Sequence, residues 1–107
     1  MTAHEQRGYT AAQIRAAERP LLDAGVPLMR RAAAGLAAEV TRLLAERASD
    51  RLAHVVLLVG AGDNGGDGLC AGAELAGAGA RVVAVPTGSR IHPAGAAAAR
   101  AAGVELL

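Results

Sequence analysis

The stretch His54-Val55-Val56-Leu57-Leu58-Val59-Gly60-Ala61-Gly62-Asp63-Asn64-Gly65-Gly66-Asp67-Gly68-Leu69 decides the fold. Its first six residues form an unbroken β-branched and aliphatic run, the pattern of a strand buried on both faces in a parallel sheet. The next nine are a glycine-rich connection, expected as a loop from Gly60 to Gly68. A small-residue helix follows, with Leu69, Ala73, Ala76 and Ala80 on one face and its end near Gly77 or Gly79. Glycines between a strand and a helix let backbone amides approach a ligand, and the helix start favours anions.

Outward from this stretch the pattern continues. Arg81 to Val85 reads as a second buried strand, and Pro86 to Arg90 as a turn. His92-Pro93 caps and opens a helix over Ala94–Ala102, Gly103 stops it, and Val104 to Leu107 reads as a third strand. Toward the N-terminus, Thr10-Ala11-Ala12-Gln13 is a capping box, followed by a helix carrying Ile14, Leu21 and Leu22 on one face. Pro20 either kinks this helix or opens a second one. Gly25 and Pro27 separate it from a long helix, Leu28 to about Arg47, with an apolar stripe of Leu28, Ala32, Leu36, Val40, Leu43 and Leu44 that Ser49-Asp50 ends. Two lead-in helices followed by βαβαβ make the N-terminal portion of an α/β, Rossmann-like doubly wound parallel sheet.

Composition narrows the function. The 107 residues carry 11 basic and 10 acidic groups, a net charge of +1, and every basic residue is Arg. No polybasic patch exists for nucleic acid or membrane, and Tyr9 is the single aromatic, so no stacking platform for bases exists either. Cys70 has no partner for an internal disulfide, and His4, His54 and His92 are scattered rather than set at zinc spacing. The first residues lack a signal-peptide apolar region and no run is long enough to span a bilayer, so a cytoplasmic chain is expected. With 28 Ala and no Phe or Trp the core must be thin.

Gly60, Gly62 and Gly65 match G-x-G-x-x-G loosely, in the right context for a dinucleotide. Two features argue against an ordinary fingerprint. The second strand does not end in an acid for ribose hydroxyls, and Asp63 and Asp67 stand where a pyrophosphate would sit. Such carboxylates either cap backbone amides or need a cation held by oxygens such as the Asn64 side chain. The plainer alternative makes the glycines a simple connection with Asp67 as N-cap.

Gly60-Ala61-Gly62-Asp63-Asn64-Gly65-Gly66-Asp67-Gly68-Leu69 resembles the G-x-G-N-N-G-G-D-G-L hallmark of the YjeF N-terminal domain family, the NAD(P)H-hydrate epimerases. Tyr9-Thr10, Gln13-Ile14-Arg15 and Leu28-Met29 resemble the same family's lead-in. The resemblance implies an isomerase that interconverts the R and S forms of hydrated NADH and NADPH in metabolite repair. It implies that Asp63, Asn64, Gly65, Gly66 and Asp67 bind the hydrate and that Asn64 is a potassium ligand. Asp63 departs from the family's first Asn, Arg30 from its Glu and Ala33 from its Gly. The family domain is about twice as long, with its catalytic acid/base, second potassium ligand and second glycine-rich loop in the further half. The chain is therefore expected to be a truncated part, inactive alone, with no catalytic residue assigned to Asp63 or Asp67. A homodimer is expected as well. Two other readings stand beside the enzyme: a non-enzymatic scaffold of the same domain type, and an NADP-binding module using Thr87, Ser89 and Arg90 for a 2′-phosphate. Cys70, at the start of the helix after the loop, is expected to be buried filler, His54 and His92 to be solvated or capping, and Tyr9 to pack on the first helix or on a partner chain.

Overall fold

The computed structural model describes residues 7–47 and 53–107. His4 and the expected stop at Ser49-Asp50 lie outside the described residues. Helix α1 spans Ala11–Asp23 and opens with the expected capping box. The Gln13 amide donates to Thr10 Oγ1 at 3.1 Å, and the Thr10 amide donates to Gln13 Oε1 at 2.8 Å. A single helix runs through Pro20, which sits in the last turn and forfeits one ladder bond there, its own to the Ala16 carbonyl. Gly25, at φ +78, then closes the end: its amide reaches Leu22 O and the Val26 amide reaches Leu21 O.

Helix α2, Leu28–Glu46, follows Pro27. Its buried face differs from the expected stripe. Ala33 and Ala37 are buried, with Val40 packed beside them, whereas Ala32, Leu36 and Leu43 stay exposed. Close approach between two helices selects the smallest side chains for the seam and pushes the leucines to its flank. On the solvent side Arg42 pairs with Glu39 and Glu46, exposed contacts worth little.

Strand β1 is His54–Val59, helix α3 Asp63–Gly77, strand β2 Arg81–Pro86, helix α4 Pro93–Ala102 and strand β3 Glu105–Leu106. The three strands form a parallel sheet in the order β1-β2-β3, with Val55 opposite Val82 and Leu57 opposite Ala84. Two successive right-handed crossovers in one direction place α3 and α4 on the same face of the sheet. They pack on each other there, and α2 packs on α3. Val59, Leu69, Ala71, Leu75, Val82, Ala84, Ala99 and Val104 form the core between the layers. Leu69 is the largest side chain buried completely, so the core is as thin as composition requires. Gly72 lets α3 lie close to the sheet: a Cβ there would come within 2.5 Å of Leu57 Cδ1.

The expectation that β1 is buried on both faces is corrected. Val55, Leu57 and Val59 face the helices, but Val56 and Leu58 are 66% and 73% exposed. Both crossover helices fall on one side, and among the described residues no helix covers the other. Among the described residues no strand pairs with the β1 edge, and the one-sided parallel sheet is consistent with the N-terminal portion of a doubly wound, Rossmann-like arrangement.

Candidate functional site

The candidate site lies at the carboxyl end of β1, beside its open edge. In doubly wound sheets this end of the strand, where strand order reverses, faces the ligand. The connection is shorter than expected. Only Gly60, Ala61 and Gly62 link strand to helix, and α3 begins at Asp63, so Gly65 and Gly66 are helical rather than loop residues. Asp67 is therefore not an N-cap: Gly62 is, with no side-chain cap bond. Glycine is a poor helix former, which is why the sequence suggests a loop. Packing overrides that preference. A Cβ on Gly65 would come within 1.9 Å of Gly60 O, so only glycine allows the chain to turn this tightly out of β1. The Gly66 amide donates to Gly62 O at 3.0 Å and is the first closed bond of the helix. The amides of Asp63, Asn64 and Gly65 precede it and have no partner within the helix, which is the arrangement that receives an anion.

The structure thus gathers Asp63, Asn64, Gly65, Gly66 and Asp67 into one turn and a half of α3. Asp63 and Asn64 are exposed, Gly65 and Gly66 buried and Asp67 half-buried. Burial pushes the Asp67 carboxyl above its ordinary value, the charges of Asp63 and Glu18 push it further, and His92 pulls the other way. A recess of about 240 Å³ opens beside the turn, lined by Glu18 and Leu22 of α1, Leu28 and Met29 of α2, and Asp63 and Asp67.

Three of the surrounding residues have no part in the motif. Glu18 and Met29 enter through the packing of α1 and α2, which no local pattern reveals. His92 caps α4 as expected, its Nδ1 accepting the Gly95 amide at 3.0 Å, but it also lies against Gly66 and 3.5 Å from Asp63 Oδ1. Its histidine-proline context signals the cap only.

Thr87 is not free for a 2′-phosphate, because its hydroxyl and amide both donate to Val59 O, at 3.2 and 3.0 Å. Cys70 sits two turns into α3 rather than at its start, lining an apolar cavity with Leu22, Val26 and Met29. Burial raises its thiol pKa, with Asp67 and Glu74 adding to the effect, so it stays a protonated filler. His54 and Tyr9 are exposed. The expected packing of Tyr9 is absent from this chain: it is 72% exposed.

Residues 25–105 match the family model described as YjeF-related protein N-terminus. The chain belongs to this family. Within the YjeF N-terminal family it is similar to an NAD(P)H-hydrate epimerase of Clavibacter michiganensis subsp. michiganensis, 56% identical over 99 residues, which cover 92% of this chain and 40% of the relative. An NAD(P)H-hydrate epimerase of Microbacterium testaceum is 46% identical over 99 residues, covering 92% of this chain and 37% of the relative. A bifunctional NAD(P)H-hydrate repair enzyme Nnr of Mycobacterium tuberculosis is 49% identical over 81 residues, covering 72% of this chain and 17% of the relative. The chain thus spans about two fifths of the length of the epimerases it matches. The YjeF N-terminal match includes the whole of β1, the α3 turn and His92. None of the helices is long and apolar enough to cross a membrane, among the described residues.

Proposed function

We propose that this chain is part of an NAD(P)H-hydrate epimerase and supplies the turn that binds the hydrated dinucleotide. One observation carries the reading: the family's glycine motif folds into a helix start whose leading amides are open at the carboxyl end of β1. These amides and the positive end of α3 suit the pyrophosphate of a dinucleotide. Gly65 and Gly66 let the turn pack tightly on Gly60, His92 and Met29, and the recess beside Met29 offers an apolar wall.

Asn64 suits a potassium ion in its donor chemistry, since an exposed amide oxygen is a hard ligand. Asp63 and Asp67 supply negative charge nearby, and the remaining oxygens would come from outside the described residues, among which no cluster of three His, Cys, Asp or Glu forms a metal site. Bound there, the ion would offset the charge that the carboxylates bring toward a phosphate. Inversion at the hydroxyl-bearing carbon needs proton transfer by groups at hydrogen-bond distance. Asp63 and Asp67 are assigned to the turn and the ion, not to that transfer.

The test is epimerisation of NADPH hydrate, followed by separating its R and S forms, by the protein expressed from its complete reading frame. Asn64→Ala should slow the reaction and remove its potassium dependence. Full activity and unchanged potassium dependence in that variant would overturn the assignment.

A homodimer is the second part of the reading. Helix α1 buries none of its residues, Ile14, Leu21 and Leu22 on it are exposed, and so are Leu36 and Leu43 of α2. Sedimentation at micromolar concentration should give twice the chain mass, and a monomer would remove this part.

A further inference from the structure

Three contacts meet on His92. Its Nδ1 accepts the Gly95 amide at 3.0 Å. A ring nitrogen that accepts carries no proton, so the proton of this imidazole sits on Nε2. That Nε2 lies 3.5 Å from Asp63 Oδ1, longer than a hydrogen bond but close enough to attract a carboxylate. The ring also presses on α3, where a Cβ at Gly66 would come within 2.9 Å of His92 Cγ and Nδ1. The His92 side chain is 18% exposed and that of Asp63 93%, so the imidazole is the fixed partner and the carboxylate the movable one.

Asp63 is the first residue of α3, where an anionic side chain is itself attracted to the open helix amides. Left alone, it competes with an anionic ligand for the same donors and repels it. We propose that His92 is a positioning residue of the substrate turn. Its Nε2–H draws the Asp63 carboxylate toward α4 and leaves the Asn64 and Gly65 amides to the ligand. The proposal rests on the reading that this turn binds the hydrated dinucleotide.

The experiment uses His92→Asn and Asp63→Asn, singly and together, in the protein from its complete reading frame. Asparagine keeps an acceptor for the α4 cap but brings no ring and no Nε2–H. H92N should keep the wild-type melting temperature and kcat while KM for NADPH hydrate rises about fivefold, the scale of one partly exposed charge contact. With D63N in place, H92N should raise KM no further. An unchanged KM in H92N, or a rise that persists in the D63N background, overturns the proposal. If H92N fails to fold, Asp63→Glu carries the test. Its longer arm moves the carboxylate past Nε2, so KM should rise with stability unchanged, and an unchanged KM overturns the proposal.

Nitrogen-15 NMR reads the geometry without substrate. The His92 ring should carry its proton on Nε2, and the Gly65 and Gly66 amide signals should move in H92N. A proton on Nδ1, or glycine signals that stay in place, overturns the proposal whatever the kinetics. If these NMR results appear as expected while the wild-type protein neither binds nor epimerises NADPH hydrate, the functional reading falls and the His92–Asp63 arrangement stands.

Discussion

Helices α3 and α4 both begin just past the carboxyl ends of parallel strands, and they begin in opposite ways. At α4 only the Ala94 amide is left without a partner: Pro93 has no amide hydrogen to offer, and the His92 side chain takes the Gly95 amide. At α3 a glycine stands as cap with no side-chain bond, and three amides follow it without a helical partner. The same fold position therefore leaves one amide free in α4 and three in α3. Leaving donors free costs stability, so the open start marks where a ligand is expected to provide the missing partners. The two starts also touch, because Gly95 and His92 pack directly on Gly66.

The largest break in this contrast is expected from Gly65→Ala. The added Cβ meets the Gly60 carbonyl at 1.9 Å, and backbone on both sides of the contact leaves nothing flexible to yield. A loss of about 3 kcal/mol or more is predicted by urea unfolding. Gly77→Ala, in open space at the other end of α3, should instead stabilise by up to ~1 kcal/mol. Equal effects at the two positions would mean that the turn is not tightly packed.

Next in size is Gly95→Ala, whose Cβ would sit 3.1 Å from both Gly66 Cα and Leu69 Cβ. The expected loss is about 1–2 kcal/mol, because the two helix starts must separate. His92→Ala removes the α4 cap and should cost about 1 kcal/mol. Hydrogen exchange should show faster loss of the Gly95 amide proton in that variant, with the α3 amides much less affected.

Asp67→Asn tests the electrostatics of the open start. The folded pKa of Asp67 is raised, so the folded chain holds this proton more tightly than the unfolded chain does. Ionised Asp67 therefore costs stability at neutral pH, and the cost fades as pH falls through the raised value. D67N should be more stable than wild type at pH 7, and the advantage should vanish below the ordinary value of 3.8. An advantage that persists there would assign it to packing rather than charge.

How far these starts were legible in the sequence differs between them. The α4 start, His92-Pro93 with Gly103 at the far end, is written in local chemistry, and the helix is found where expected. The capping box at Thr10 is equally local. The α3 motif was legible as a motif, but its conformation was not, since five glycines between Gly60 and Gly68 signal a loop by propensity and become helix only through packing on Gly60, Met29 and His92. The buried face of α2 was misplaced for a related reason: Ala33 and Ala37 carry a weak apolar signal, yet close approach favours them over Leu36 and Leu43. The one-sided burial of β1 depends on which elements cover the sheet, and the residue run Val55–Val59 reads the same with one face covered or two. The Asp63–His92 contact joins residues 29 positions apart and needs the tertiary fold.

The smallest expected effect on stability is that of Asn64→Ala, whose exposed side chain should leave unfolding within about 0.5 kcal/mol of wild type while binding weakens. That separation leads to the most direct measurement. Nitrogen-15-labelled protein is titrated with NADPH hydrate in potassium buffer, and the amide shifts of both helix starts are followed. The open start predicts saturable shifts at Asp63, Asn64 and Gly65, with much smaller changes at Ala96 and Ala97 of α4. Shifts centred on α4, or none at the α3 turn at saturating ligand, would contradict the account.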